Sequence, residues 1–339
     1  MLIYFLEIKM KERILTGIKP TGIPHLGNYF GAIKPAIEMS KSDEFDCLYF
    51  IADYHALNTI KNRELFKEYT YAVAATWLAC GLDPDKVIFY KQSDLPEIFE
   101  LNWILSNVTA KGLMNRAHAY KASVDANLKD GEDPDHNINM GLFNYPILMA
   151  ADILIMNSTR VPVGQDQKQH VEIARDIANS FNNTFGKCFV LPEEHIMKEV
   201  GTLVGFDGRK MSKSYNNTIE IFCEENALKK HINKIITDSK MPGEEKDINC
   251  NLFKIYSLFA NAEQIENMKA QFKAGIGWGE AKKQTFELIN SYLAPMREKY
   301  NYYMNNKNLI DEILTSGAEK ARRIASSVIS KARKLIGKK

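Results

Sequence analysis

Residues 16–33, TGIKPTGIPHLGNYFGAI, carry the first set of groups that could handle a nucleotide. Gly17, Gly22 and Gly27 remove side chains where backbone must come close to a ligand, and Pro20 and Pro24 delay helix formation until after the turn. A helix starting near residues 25–28 would aim free N–H groups and the positive end of its dipole at an anion. His25 can donate to a phosphate oxygen. Asn28 can do the same, or can cap the helix. The segment is neither the Gly-x-Gly-x-x-Gly of dinucleotide enzymes nor a Walker P-loop.

The second set is Lys210, Met211, Ser212, Lys213 and Ser214, preceded by Gly205 and Gly208. Lys210 and Lys213 lie three apart, so one helical turn brings both ammonium groups to one side. Two such cations suit a leaving pyrophosphate, whose charge grows in the transition state. Standing alone, the pentapeptide reads as a basic surface turn; the upstream segment turns the reading towards phosphate.

Together, His25-Leu26-Gly27-Asn28 and Lys210-Met211-Ser212-Lys213-Ser214 resemble the paired hallmarks of class I aminoacyl-tRNA synthetases, in their order and about their distance apart. The first hallmark usually ends in His, and Asn28 is a departure that tryptophanyl members share. Two further blocks, Tyr145 to Leu154 (YPILMAADIL) and Val161 to His170 (VPVGQDQKQH), look like the tryptophanyl branch. The resemblance covers most of residues 13–222 and extends more weakly to the C-terminus. It implies ATP and Mg²⁺ as cofactors, L-tryptophan and tRNA(Trp) as partners, a homodimer and a cytoplasmic location. No protein-held metal site is expected.

The resemblance also assigns roles. His25, Lys19, Lys210 and Lys213 would stabilise charge during catalysis. ATP would be held by Lys19, Pro20, Thr21, Gly27, Asn28, Gly164, Gln165, Asp166, Leu203 and the segment Lys210, Met211, Ser212, Lys213 and Ser214. Tryptophan would meet Leu15, Met149 and Asp152, with Asp152 accepting the indole N–H, while Tyr145 and Gln167 hold its ammonium end. A carboxylate in an apolar pocket favours a ring bearing a donor and rejects phenylalanine by being left unpaired; the other reading of Asp152 is a helix-capping or salt-bridged residue. Leu15 and Thr16 stand where many members have an aromatic residue and Ser, Lys19 where many have Gln, and Gln165 where many have Glu. Lys121 is the nearest candidate for a further phosphate-reaching lysine, and it reads equally as an exposed helix residue. A tyrosyl member should not carry Val-Pro-Val-Gly-Gln-Asp-Gln, and a silent, RNA-binding relative has no missing His25, Lys210 or Lys213 to support it.

These groups need a scaffold. Between Arg13 and about Phe222, short β-branched or aromatic runs (13–16, 47–52, 87–91 and 161–163) alternate with helical patterns, which predicts an α/β fold with a Rossmann-like parallel sheet covered by helices on both faces. Leu65, Tyr69, Ala72, Val73, Thr76 and Trp77 fall at helical spacing with Gly81 as a stop, and Ile98, Leu101, Leu105 and Val108 repeat the pattern. The expected division is a catalytic domain over 1–222, with a helical insertion at about 60–150, and an all-helical, anticodon-binding domain over 223–339. Residues 123–139 are polar and read as a surface loop; Asp133, Asp135 and His136 lack the spacing of a metal site.

The chain's 339 residues and formal net charge of +2 allow a real core but no global polyanion attraction, so any nucleic-acid contact must be local. The odd, scattered cysteines Cys47, Cys80, Cys188, Cys223 and Cys250 read as reduced thiols. Residues 1–10 are apolar but too short to span a bilayer and lack a basic leader, so they read as an extension or an extra edge strand rather than a signal peptide. From Ala318 onward, Lys320, Arg322, Arg323, Lys331, Arg333, Lys334, Lys338 and Lys339 surround an apolar stripe of Ala321, Ile324, Val328, Ala332 and Leu335, which suits either phosphate contact or a solvated helix. Lys213→Ala is expected to slow amino-acid activation with little change in tryptophan affinity, measured by single-turnover kinetics beside equilibrium binding; an unchanged rate would remove Lys213 from the mechanism.

Overall fold

The computed structural model describes residues 11–196, 203–209, 211 and 215–338, so the reading of residues 1–10, and those of Lys210, Ser212, Lys213 and Ser214, fall outside the described residues. Five strands form one parallel sheet in the order β3-β2-β1-β4-β5: β1 Glu12–Ile18, β2 Phe45–Ile51, β3 Ile88–Lys91, β4 Arg160–Val163 and β5 Glu193–Ile196. The first four match the apolar runs in the sequence. β5, which reads EEHI, has no apolar run and joins the sheet only as the partner of β4.

Alternating side chains of the strands feed two cores, one on each face, as expected of a sheet covered on both sides. Ile14, Tyr49, Ile51 and Phe89 pack with the helical segment 26–39, helix Arg63–Ala79 and the C-terminal helices. Leu15, Leu48, Phe50 and Tyr90 pack with helices Pro96–Ser106, Met140–Ile155 and Lys168–Phe185. Helix Arg63–Ala79 forms where the spacing predicts it: the Asn62 side chain accepts from the Leu65 N–H, and Gly81 (φ 101°) follows its end.

Three expectations change. The helical insertion was expected from about residue 60, but helix Arg63–Ala79 connects β2 to β3 within the sheet layer, so the helical excursion lies between β3 and β4. Residues 123–139 are not all loop, because helix His118–Lys129 runs into them. It buries no side chain, so its polar face gives no periodic apolar signal, and local propensity carries it.

The third change concerns the division at 223. Every regular element after it is helical among the described residues, but the last helix, Lys307–Leu335, returns to the sheet and lies against β3. Its small face (Gly317, Ala318, Ala321, Ala325, Ala332) permits close approach. Its charges are also spoken for: Arg333 makes a forked pair with Glu100, Lys338 reaches the same carboxylate, Arg322 pairs with Glu97, and Lys320 and Lys331 donate to the Pro84 and Cys188 carbonyls. Arg323 and Lys334 keep exposed side chains on that helix. The basic stretch therefore serves first to dock the helix on the sheet domain.

A Cβ added at Gly317 would sit 1.7 Å from the Phe89 carbonyl oxygen, a backbone atom that cannot swing away. Gly317→Ala should lower stability by more than about 2 kcal/mol, read as a fall in melting temperature; an unchanged melting temperature would mean that the helix does not lie this close to β3.

Candidate active site

β1 is hydrogen-bonded to β2 on one side and β4 on the other, and the connections β1 to β2 and β3 to β4 run in opposite directions across the sheet. That reversal opens a crevice beyond the C-terminal ends of the strands, where open α/β sheets bind ligands. A cavity of about 300 Å³ lies there, at the small end for an organic ligand. Its walls come from Leu15 and Thr16 of β1, Val161 and Val163 of β4, and Tyr145, Met149 and Asp152 of helix Met140–Ile155, with His55 and Gln167 completing it. All five residues assigned to tryptophan by resemblance, Leu15, Tyr145, Met149, Asp152 and Gln167, thus meet in one cavity.

Asp152 is 1% exposed. His55 Nε2 lies 3.0 Å from its Oδ2, and Gln92 Nε2 lies 2.9 Å from Oδ1 and 3.0 Å from Oδ2. Burial pushes the carboxyl pKa up, and the His55 and Gln92 contacts pull it back. Asp152 therefore has partners inside the protein and also lines the cavity. A carboxylate offers about four acceptor positions, so Oδ1 keeps capacity for another donor. Across the cavity the Tyr145 hydroxyl is hydrogen-bonded to His170 Nε2, and burial pushes the phenol up to about 12, which keeps it protonated at neutral pH.

A second cavity of about 260 Å³ is lined by Lys19, Thr21, Gly22, Pro24, His25, Asn28 and Met211. Here the Gly/Pro turn hands over to helical segment 26–39. His25 is the N-cap: its Nδ1 accepts from the Gly27 N–H at 3.1 Å, and its own N–H donates to Asn28 Oδ1 at 3.1 Å. The Asn28 side chain is thus the reciprocal half of a capping box. With Nδ1 accepting, the neutral His25 ring carries its proton on Nε2 as a donor. Residues 29–33 form a π-helical turn, a departure often found at functional sites, and it puts Gly31 and Ala32 on the first cavity while burying Tyr29, Phe30 and Ile33.

Lys19 lines both cavities. Its side chain is open to the cleft, yet the protein around it strips water from the ammonium and lowers its pKa. The two hallmark segments are joined by backbone: Leu26 N–H donates to the Ile219 carbonyl (2.9 Å) and Ile221 N–H to the Pro24 carbonyl (3.1 Å). On the described side of the second hallmark, Met211 is buried against the second cavity, its N–H bonded to the Leu203 carbonyl at 2.8 Å. Asp207 ties the ends together, accepting from Asn217 Nδ2 (2.7 Å) and from Arg209.

The remaining assignments separate. Gly164 borders the first cavity, Pro20 is buried beneath the turn, and Gln165 is exposed and lines neither cavity. The Asp166 side chain lies outside the described residues. Lys121 is exposed on helix His118–Lys129 and borders neither cavity. Among the described residues no group of three His, Cys, Asp or Glu side chains could hold a metal ion, Asp133, Asp135 and His136 included. His55 and Gln92 were not legible as site residues: each sits just past the end of a strand, at the position open sheets use for ligands, but the signal needs the strand order.

Comparison with known proteins puts this geometry in context. The family described as class I tRNA synthetases (W and Y) matches residues 9–294. The tryptophan–tRNA ligase of Neisseria meningitidis is 52% identical over 329 residues, 96% of this chain and 98% of its own. That of Pseudomonas aeruginosa is 52% identical over 97% of this chain and 74% of its own. The crystal structure of Campylobacter jejuni tryptophanyl-tRNA synthetase complexed with ADP and tryptophan superimposes with a TM-score of 0.88 at 45% identity, covering 96% of this chain and 99% of that one.

A Cβ at Gly27 would meet the His25 ring at 2.8 Å. Gly27→Ala should therefore displace the ring, cutting the ATP-dependent turnover by about ten- to a hundred-fold while leaving tryptophan affinity near wild type; equal losses in both would mean that the whole crevice has been disturbed.

Proposed function

The chain belongs to the class I tRNA synthetases of the tryptophan and tyrosine type, and on that premise we infer that it is a tryptophan–tRNA ligase, activating L-tryptophan with ATP and passing it to tRNA(Trp) for protein synthesis. The observation that carries this reading is the pair of cavities bridged by Lys19, one apolar with a buried carboxylate, the other floored by a helix start and His25. The tyrosine alternative is not favoured, since relatives sharing half of the residues are tryptophan enzymes.

Tryptophan would lie in the first cavity with its indole N–H on Asp152 and its ammonium between Tyr145 and Gln167. Its carboxylate then points towards Lys19 and the second cavity, where Thr21, Gly22, His25 and Asn28 would surround the phosphates of ATP. A carboxylate oxygen attacks the α-phosphorus in line. The new O–P bond forms as the bond to the bridging oxygen breaks, and pyrophosphate leaves with the electron pair. No protein nucleophile is needed: His25, Lys19, Lys210 and Lys213 would stabilise the charge moving to the leaving group. The terminal 2′-hydroxyl of the tRNA then attacks the carbonyl carbon of the adenylate, releasing AMP.

The described residues form no dedicated magnesium cage, so Mg²⁺ would arrive on the ATP phosphates, as it does in many nucleotide enzymes. Among the described residues no helix is long and apolar enough to cross a membrane, which accords with work in the cytoplasm. A homodimer is supported by exposed apolar side chains, above all Trp103 at 72% and Met140 on the helical excursion, with Tyr54 and Leu57 after β2 also exposed.

Amino-acid-dependent ATP–pyrophosphate exchange tests the activity: exchange with tryptophan and not with tyrosine or phenylalanine is expected, and exchange with tyrosine would overturn the pocket assignment. Trp103→Glu should shift the sedimentation coefficient from dimer to monomer; an unaltered dimer would place the interface elsewhere.

A further inference from the structure

Asp152 can accept an indole N–H reliably only if it stays ionised and does not rotate, yet it is buried among apolar side chains that favour the neutral acid. We propose that Gln92 is a specificity-determining positioning residue, which holds Asp152 as an oriented carboxylate through the amide geometry at the end of β3. The proposal rests on the reading of Asp152 as the indole acceptor.

Gln92 is fully buried in the short turn after β3. Its Oε1 accepts the Tyr54 backbone N–H at 3.1 Å. A backbone N–H can only donate, so this contact settles which end of the amide is which: oxygen towards Tyr54, NH₂ towards Asp152. The NH₂ spans the carboxylate, 2.9 Å from one oxygen and 3.0 Å from the other. An NH₂ cannot accept a proton, so an Asp152 O–H directed at Gln92 would meet a donor. The contact therefore selects the ionised form as well as its orientation. Because Tyr54 follows β2 and Gln92 follows β3, the selection is anchored in the sheet.

The titratable groups around Asp152 are few. His55, from the turn Asp53–Ala56, donates to Oδ2 or pairs with it as a cation. Tyr90 of β3 faces it as a buried phenol whose pKa is raised further by the carboxylate's charge, so it stays neutral. Tyr145, on the same helix as Asp152, packs its ring edge against His55 at 6.2 Å, and Lys19 lines the same cavity. None of these crosses both carboxylate oxygens as Gln92 does, so removing the Gln92 amide should raise the Asp152 pKa and free its rotation.

The test uses pyrophosphate exchange by the full-length enzyme with tryptophan and with β-(3-benzothienyl)alanine, which has sulfur where indole has N–H. Gln92→Met should lose about ten-fold or more of the preference for tryptophan, the loss falling chiefly on KM for tryptophan. Its KM should also begin to climb at a higher pH than in the wild type as the solution is acidified, because Asp152 would protonate sooner. Gln92→Glu keeps the Tyr54 contact and the side-chain size, so it serves if the Met variant does not fold; facing a second carboxylate, it should shift the acid limb further. Asp152→Ala, which has no acceptor, separates the two levels. If it abolishes the preference while both Gln92 variants keep preference and pH profile, the role of Gln92 is overturned. If Asp152→Ala keeps the preference, the indole reading itself fails, and the inference fails with it.

Discussion

The backbone of β1 is hydrogen-bonded along both edges, to β2 over its full length and to β4 at Ile14, and the site depends on that constraint. The crossover from β1 to β2 and the crossover from β3 to β4 run in opposite directions across the sheet, and the gap that opens between β1 and β4 is filled by neither. Leu15 and Thr16 point their strand end into this gap, Val161 and Val163 wall it from the other side, and the turn after β1 carries Lys19 to its mouth. Were β1 an edge strand, the same residues would be present without a crevice to line.

Two further contacts give the crevice its chemistry. The backbone pairing of residues 24–26 with 219–221 brings together segments almost two hundred positions apart by hydrogen bonds that need no particular side chain, and Met211 lines the same cavity as the phosphate-handling turn. The Asp152 cluster works in the opposite way, through side chains alone: His55 from the end of β2, Gln92 from the end of β3 and Asp152 from a helix meet in a space closed to water. There a carboxylate is costly without donors, and the fold sets the Gln92 NH₂ across both of its oxygens.

The C-terminal helix shows how composition can mislead about purpose. Its basic residues look like a nucleic-acid surface when read along the sequence, because nothing local cancels them. Their counter-charges, Glu97 and Glu100, lie more than two hundred positions upstream on helix Pro96–Ser106, and the small residues between them let the helix settle on β3. Two carboxylates thus take up Arg322, Arg333 and Lys338, while Arg323 and Lys334 stay exposed.

Local patterns determined a good deal on their own. Apolar runs gave four of the strands, helical spacing gave Arg63–Ala79 and Pro96–Ser106, and the two hallmarks with the Tyr145 and Val161 blocks gave the family and the residues of the first cavity. These are properties of neighbouring residues, set by side-chain periodicity and backbone preference. What tertiary structure decided is whatever depends on which elements meet. β5 has no apolar run and exists because β4 leaves an edge to pair. Asn28, an open choice in the sequence, caps the helix through its Oδ1 because His25 adopts the N-cap geometry, while the residue still borders the second cavity. The roles of His55 and Gln92 follow from the strand order, since a polar residue past a strand end becomes a site residue only when that strand is placed beside the switch point.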